Sequence, residues 1–368
     1  MKTHDQNSRE KTINIATPIA TLREAQERAR SLVPPQAWDW LEGGTEREWT
    51  LAANSAAYGR YYLKQRILRD VTNVKTGARF LGKQLPMPLI GAPLGGMTQY
   101  HQDGEIALVQ GGHAASTIMS ISAMSRLRIE EIRDAAPKAA MIYQVYFQGP
   151  DSWLEDEVAR AKAANVKALC LCGDAPVRTI RYRDRENRYD ARKFGHRTNA
   201  PPPNHALGAR ATWDYVAWFK QKIDVPVIVK GIVCAEDAAL AMEHGADILW
   251  VSNHGGRALD SGIASLDVLP EIRAAVGKKA TIVFDGGIRT GSDVLKALAL
   301  GADIVAIGRP VVYGLAVDGV VGVERIFELF AEEFHSAMAM CGISSLDEIR
   351  PDILRVRPGA ETLLNLLR

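Results

Sequence analysis

The chain has 368 residues, 47% hydrophobic and 24% charged, with 45 Lys and Arg against 43 Asp and Glu for a formal net charge of +2. That length can build a large core, either as two ordinary domains or as one α/β barrel with extensions. The balanced charge excludes a nucleic-acid footprint, no apolar run reaches the ~18 residues of a membrane span, and the four cysteines (Cys170, Cys172, Cys234, Cys341) form neither a disulfide framework nor a CxxC zinc pattern.

The amino-terminal stretch MKTHDQNSREKTINIATPIA is polar and lacks the apolar core of a secretory signal. Together with the unpaired cysteines, this gives a cytoplasmic α/β protein as the expectation. Two helices are predicted around Thr21–Leu32 and Pro35–Glu42, within a lead-in of about residues 15–86. Short apolar runs then recur: PLIGAP (from Pro88), STIMSIS, MIYQVY, ALCLCG, PVIVKG, ILWVSN, TIVFDGG and DIVAIGRP. Most lack polar alternation, as strands do when both faces are covered. Amphipathic stretches separate them, among them DSWLEDEVARAKAANV, CAEDAALAMEHGA and GSDVLKALALGA. The last two end in a repeated GAD, at Gly245–Asp247 and Gly301–Asp303, that marks a recurring helix-to-strand unit. TNAPPPNHALGARAT, after the fourth run, reads as a mobile loop, and VERIFELFAEEFHSAMAMCG as a long carboxy-terminal helix.

Eight strands alternating with helices over roughly 220 residues predict a (β/α)8 TIM barrel, about residues 87–342, within a single domain spanning residues 1–368. A doubly wound sheet would carry nucleotide-binding glycines after its first strand, whereas here the glycine-rich turns follow strands six, seven and eight.

In such a barrel the chemistry sits at the carboxy-terminal ends of the strands. Side chains two apart share a face, which groups Gln144 with Tyr146, Cys170 with Cys172 and Asp174, and Trp250 with Ser252 and His254. Lys230 ends strand five, Asp285 with Gly286 and Gly287 strand seven, and Gly308 with Arg309 strand eight. Any one of these is an ordinary surface or capping residue, but a His, an Asp, a Lys, a Tyr and several Arg at one rim point to a site. DGGIRTGSD followed by IGRP suggests a phosphate cradle. Glycines uncover N–H groups, Gly291-Ser292-Asp293 opens a helix whose positive end attracts anions, and Arg289 and Arg309 add forked donors. These features leave a phosphorylated substrate and a flavin equally open.

SNHGGRALD, preceded by VKGI and followed by DGGIRTGSDVLKALALGAD and IGRP, resembles the active-site region of the FMN-dependent α-hydroxy acid oxidases and dehydrogenases, which include glycolate oxidase, lactate oxidase and mandelate dehydrogenase. Upstream, WDWLEGGTEREWTLAAN, APLGGM, TIMSIS, YQVYFQ and DAPVRTIRYRDREN are also similar, so the resemblance runs from about Thr21 to Arg357. It implies that His254 is the base that takes the substrate proton while a hydride equivalent passes to flavin N5, with Asp174 holding the imidazole. A histidine suits that work because its ordinary pKa of about 6.5 lies near working pH. Arg257, assisted by Arg181, would bind the substrate carboxylate, and Tyr146 the hydroxyl or developing carbonyl oxygen. Lys230 would lie beside flavin N1 and O2. Pro93, Leu94, Gly95, Ser122, Gln144, Cys172 and Ser252 would hold the isoalloxazine, Asp285 the ribityl chain, and Gly287, Arg289, Gly308 and Arg309 the phosphate. No metal is expected.

Four positions depart from the family pattern. Trp40 replaces a tyrosine that helps bind the substrate carboxylate, and an indole N–H donates one hydrogen bond but offers no hydroxyl. Trp40 either packs or reshapes the pocket for a bulkier acid or for a lactone, ester or amide. Cys172 stands where a threonine is usual, and Met124 where short-chain oxidases carry an aromatic. Gly95 replaces a common alanine, which would admit oxygen or a larger substrate. The reading is therefore an FMN-dependent oxidoreductase acting on a 2-hydroxy acid or a derivative. The alternatives are an FMN barrel of another reaction type, such as an isomerase, or a flavin-binding sensor with little turnover. The electron acceptor stays open between oxygen, a quinone, a cytochrome and another redox carrier, and a homotetramer is expected because the family commonly forms one.

Overall fold

The computed structural model describes residues 17–190, 205–360 and 366. Of the predicted loop after strand four, residues 198–204 lie outside the described residues, and His205–Ala209 forms a short helix. Eight strands, β1 (Leu89–Leu94), β2 (Ile118–Ser122), β3 (Ala140–Tyr146), β4 (Ala168–Cys172), β5 (Val227–Ile232), β6 (Ile248–Val251), β7 (Thr281–Phe284) and β8 (Ile304–Ile307), close into one barrel. They pair in sequence order, every ladder is parallel, and β8 returns to β1. The chain thus adopts the predicted (β/α)8 barrel.

Strand alternation explains how the interior is filled and why its mouth is reactive. One column of each strand points inward. At the amino-terminal end these columns are apolar: Ile90, Ile118, Ile142, Ala168, Ile228, Ile248, Val283 and Ile304 form one buried cluster. Phe80 and Leu85, from the hairpin Ala78–Phe80/Lys83–Leu85, pack into the same cluster and plug that end. Moving up in steps of two, the same columns turn polar: Ile142 gives way to Gln144 and Tyr146, Ile228 to Lys230, Val283 to Asp285. The other column of each strand faces the surrounding helices in a second, larger core.

The repeated GAD has a structural meaning. Gly245 and Gly301 close their helices at φ +91° and +116°, conformations that favour glycine. The aspartates that follow then accept an N–H at the start of the preceding strand, Asp247 from Val227 and Asp303 from Ile282, each at 2.7 Å.

The lead-in helices run over Leu22–Leu32 and Pro35–Glu42, as predicted, and a third covers Trp49–Ala56. This third helix sits on the loop after β6, where the Arg47 and Thr50 N–H groups donate to the Asp260 carboxylate at 3.0 Å. Gly256 is required there, since at φ +76° a Cβ would lie 2.6 Å from the Leu51 backbone. The carboxy-terminal helix is longer than predicted. It begins at Arg309, directly after β8, and runs to Met340 with a break at Asp318 and Gly319. Its first residues read as the end of a strand because IVAIGRP is continuously apolar up to Gly308. The proline, which suits a helix start, is the signal that marks the change. Among the described residues no helix is long and apolar enough to cross a membrane.

Candidate active site

β6 ends in a turn that the sequence forces. His254, Gly255 and Gly256 all adopt left-handed φ values of +59°, +63° and +76°. This is an uncommon state for a side-chain-bearing residue and the kind of strain found at functional positions. The turn folds the His254 backbone N–H onto Ser252 Oγ at 3.1 Å and delivers the imidazole to the barrel mouth.

There His254 Nδ1 meets Asp174 Oδ1 at 2.9 Å, and Nε2 lies 3.5 Å from the Tyr146 hydroxyl. Burial alone would raise the Asp174 pKa, but the His254 and Lys230 charges, and hydrogen bonds from His254 and Cys172, hold this carboxyl well below the usual range. An ionised Asp174 accepts the Nδ1–H, which leaves the other ring nitrogen free to accept a proton. Cys172 donates its thiol to the same Asp174 oxygen at 3.0 Å. Burial, followed by the Asp174 charge, pushes its thiol pKa far up, so Cys172 is a neutral thiol and no nucleophile. Tyr146 is likewise held as a neutral phenol, by burial first and then by Cys172 and Asp174.

Beneath this group runs a buried charged chain. Lys230 Nζ donates to Ser252 Oγ at 2.7 Å, Ser252 Oγ donates to Asp285 Oδ1 at 2.6 Å, and Trp250 Nε1 donates to Asp285 Oδ2 at 2.9 Å. Lys230 and Asp285 also pair at 3.5 Å. Burial disfavours the ammonium, yet Asp285 and Asp174 outweigh it and keep Lys230 charged.

Six arginines line the rim, and Arg257, Arg309 and Arg181 define how it is built. Arg257 Nη1 donates to the carbonyls of Trp40, Leu41 and Gly43 at 2.7, 3.1 and 2.8 Å. Arg309 donates to the Leu41 and Gly43 carbonyls at 3.0 and 3.2 Å. Both therefore serve the negative end of the helix Pro35–Glu42 and fix it over the mouth. Burial, then Arg181 and Arg309, work against the Arg257 charge. A guanidinium does not release its proton in proteins, so this crowding favours an anion in the pocket. Trp40 lies between Arg257 and Arg181, its ring centroid 4.9 and 5.4 Å from their guanidinium carbons. Its indole N–H is buried with no partner among the described residues.

These groups enclose a cavity of about 390 Å³. Trp40, Pro93, Leu94, Gly95, Ser122, Met124, Gln144, Tyr146, Arg181, Lys230, His254, Arg257, Asp285, Gly287, Arg289, Gly308 and Arg309 all line it. Asp174, Cys172 and Ser252 stand directly behind that wall, joined to it by the hydrogen bonds above.

Two sequence-based expectations need correction. The helix opening at Gly291 does not present its positive end to this cavity. Thr290 and Asp293 form a capping box, and the Gly291 N–H donates to Glu333 at 2.7 Å, so its own carboxylates occupy that end. The helix end that does face the cavity begins at Gly308 and Arg309, after β8. Nor does Gly95 open space. A Cβ there would lie 3.2 Å from the Ser122 side chain and 3.4 Å from the Met124 backbone, so the missing methyl is filled by the neighbouring turn.

Some supporting residues had no sequence signal. Asp184 pairs with Arg181 at 3.0 Å. Asn54 and Asn253 exchange side-chain hydrogen bonds at 2.8 Å in both directions, and Asn54 also accepts from Ser265 N at 3.3 Å. The two asparagines are 199 positions apart, and only the fold brings them together. This pair locks the lead-in helix to the β6 turn. Replacing Asn54 with alanine leaves the buried Asn253 amide short of a partner and is expected to lower stability by about 1–3 kcal/mol. Chemical denaturation of Asn54→Ala beside the parent measures the loss, and equal midpoints would refute the locking role.

Residues 29–356 match the family model described as FMN-dependent dehydrogenase. The chain is 38% identical over 363 residues to the L-lactate oxidase of Nostoc sp., which covers 93% of this chain and 99% of that protein. It is 35% identical to the glycolate oxidase of Spinacia oleracea, over 90% of this chain and 94% of that protein. A solved structure of mandelate oxidase with benzoyl-formic acid superposes with a TM-score of 0.86 at 35% identity, covering 93% of this chain and 100% of that one.

Proposed function

The chain belongs to the FMN-dependent dehydrogenase family, with FMN as its cofactor and oxidation of a 2-hydroxy acid as its reaction, and from this premise we propose how its own residues carry the reaction. Bound FMN supplies the electron acceptor for the substrate carbon. His254 takes the proton, and Asp174 holds its tautomer and stabilises the imidazolium that results. Tyr146, a neutral phenol, donates to the substrate hydroxyl or developing carbonyl oxygen. Arg257 and Arg181 hold the carboxylate. Lys230 would lie beside the bound cofactor, where its positive charge would favour acceptance of electrons. Ser122, Gln144 and the Pro93-Leu94-Gly95 strand end would hold the ring, with Ser252 and Cys172 supporting them from behind the cavity wall, Asp285 would hold the ribityl chain, and Gly287, Arg289, Gly308 and Arg309 the phosphate. The residues fit an anionic, phosphate-bearing group, since Arg289 and Arg309 line the same cavity as the backbone of Gly286 and Gly287.

The observation that carries this reading is the His254–Asp174 pair at 2.9 Å, sharing one mouth with Tyr146, Arg181 and Arg257. The test is direct. Purified protein should show a flavin spectrum that bleaches anaerobically with a panel of 2-hydroxy acids, lactones and esters. A protein that stays colourless after FMN is added would sink the proposal.

Trp40 acts within this reading as a donor and wedge between the two arginines, selecting the group that the substrate presents to them. Trp40→Phe keeps the ring stack but removes the N–H, and is expected to raise KM about 2- to 10-fold, the worth of one hydrogen bond. An unchanged KM would mean that Trp40 only packs.

We further propose a single unit over residues 1–368 working as a cytoplasmic homotetramer. Free thiols at all four cysteines support a reducing compartment, and exposed apolar side chains at Trp49, Leu259 and Ile263 support association. Light scattering on the purified holoenzyme tests the assembly.

A further inference from the structure

Cys172 Sγ, Asp174 Oδ1 and His254 Nδ1 form a triangle behind the cavity wall. Sulfur to oxygen is 3.0 Å, sulfur to nitrogen 3.8 Å, and oxygen to nitrogen 2.9 Å. The three ligand types come from the carboxy-terminal ends of β4 and β6 and the turns that follow them, and converge within 4.8 Å. The second Asp174 oxygen is buried without a partner among the described residues, on a side chain only 8% exposed. Donors at the usual ~2.0–2.3 Å from a tetrahedral zinc stand about 3.3–3.6 Å apart. Shifts of a few tenths of an ångström would convert the hydrogen-bonded triangle into a coordination face.

We propose that this triangle binds a soft divalent cation of the zinc type and that the cation switches the enzyme off. Although residue order alone raises no expectation of a metal, the cysteine that departs from the family pattern supplies the soft ligand a threonine lacks. The zinc–sulfur bond forms as the S–H bond breaks, the proton leaves to solvent, and no electron is transferred. Thiolate and carboxylate together neutralise the dication. Lys230 adds little repulsion because its charge is matched by Asp285 at 3.5 Å.

Silencing follows from the imidazole itself, and this half of the proposal rests on His254 being the base. A neutral imidazole has one lone pair and one N–H. A cation on Nδ1 takes the lone pair there and confines the proton to Nε2, the nitrogen beside Tyr146. That nitrogen then has nothing with which to accept the substrate proton.

The test uses FMN-loaded enzyme dialysed against graded Zn²⁺, with bound zinc and the rate of anaerobic flavin reduction by substrate measured on the same samples. One equivalent of zinc is expected to bind as reduction is lost, with both reversed by a chelator and neither produced by Mg²⁺. Cys172→Thr is expected to weaken zinc retention by more than ~10-fold, since losing even an outer-shell partner costs about 10- to 100-fold. Cys234→Ser, outside the site, should leave retention unchanged. Zinc that fails to bind, or that binds Cys172→Thr as tightly as the parent, overturns the site. Zinc held through Cys172 while reduction continues upholds the site and overturns the assignment of His254 as base.

Discussion

Replacing His254 with glutamine is expected to slow reduction of the bound flavin by about 10²- to 10⁴-fold, the usual worth of a positioned general base. Glutamine is close in size, and its amide N–H can still meet Asp174, so the wall of the cavity stays in place. It offers no nitrogen that takes a proton at working pH. Because Lys230, Gln144, Ser122 and the phosphate-side arginines remain, FMN should stay bound with its absorbance little changed. Anaerobic rapid mixing with substrate separates the two quantities. A variant that keeps its flavin and reduces it at the parental rate would remove His254 from the chemistry. The pH window is set by the partner. Asp174 is held below the usual carboxylate range, so the stabilisation from its pairing with His254 is fully present above about pH 4, the ordinary carboxylate value, and is lost only as pH falls through the lower folded-state value. Near neutral pH, Asp174 is therefore ionised throughout.

Lys230→Met is expected to be the most destabilising single change at the site, by about 3–5 kcal/mol, because it removes one partner of a buried ion pair and leaves the other behind. Asp285 would keep its hydrogen bonds from Ser252 and Trp250 but lose the ammonium 3.5 Å away. The sign with pH follows from the raised pKa of Lys230. Its contribution is fully present below about 10.4, the ordinary lysine value, and disappears only as pH rises through the higher folded-state value. The parent should thus exceed Lys230→Met in thermal stability across the whole neutral range. Loss of FMN on gel filtration is expected alongside, since the same ammonium is assigned to the cofactor. A variant that melts with the parent and retains its flavin would show that Asp285 needs no counter-charge. Lys230→Arg, which restores the charge without the fit, should recover stability in part.

The barrel was legible in the sequence because its strands are short, apolar and regularly spaced, and because the glycines of the repeated GAD, Gly245 and Gly301, close their helices at positive φ. Those are local constraints. The mouth residues were legible for the same reason: a period of two carries each inward column from isoleucine or valine at the bottom to Gln144, Lys230 or Asp285 at the top. Other features depend on residues far apart in the chain. The Asn54–Asn253 clasp, the grip of Arg257 and Arg309 on the carbonyls from Trp40 to Gly43, and the seating of Trp40 between two guanidiniums all join the lead-in to the barrel across separations from 141 to 268 positions. No local pattern encodes such a pairing. The same limit misplaced the anion-facing helix end. A helix start at Gly291 is plain in the sequence, but that its N–H groups are spent on Thr290 Oγ1 and on Glu333, forty-two positions away, depends in part on how the last helix packs. Residue order alone therefore determined the strands, the turns and the chemical inventory of the rim. Packing decided which donors remain free to meet a ligand, because a hydrogen bond between distant segments exists only once the intervening chain has folded.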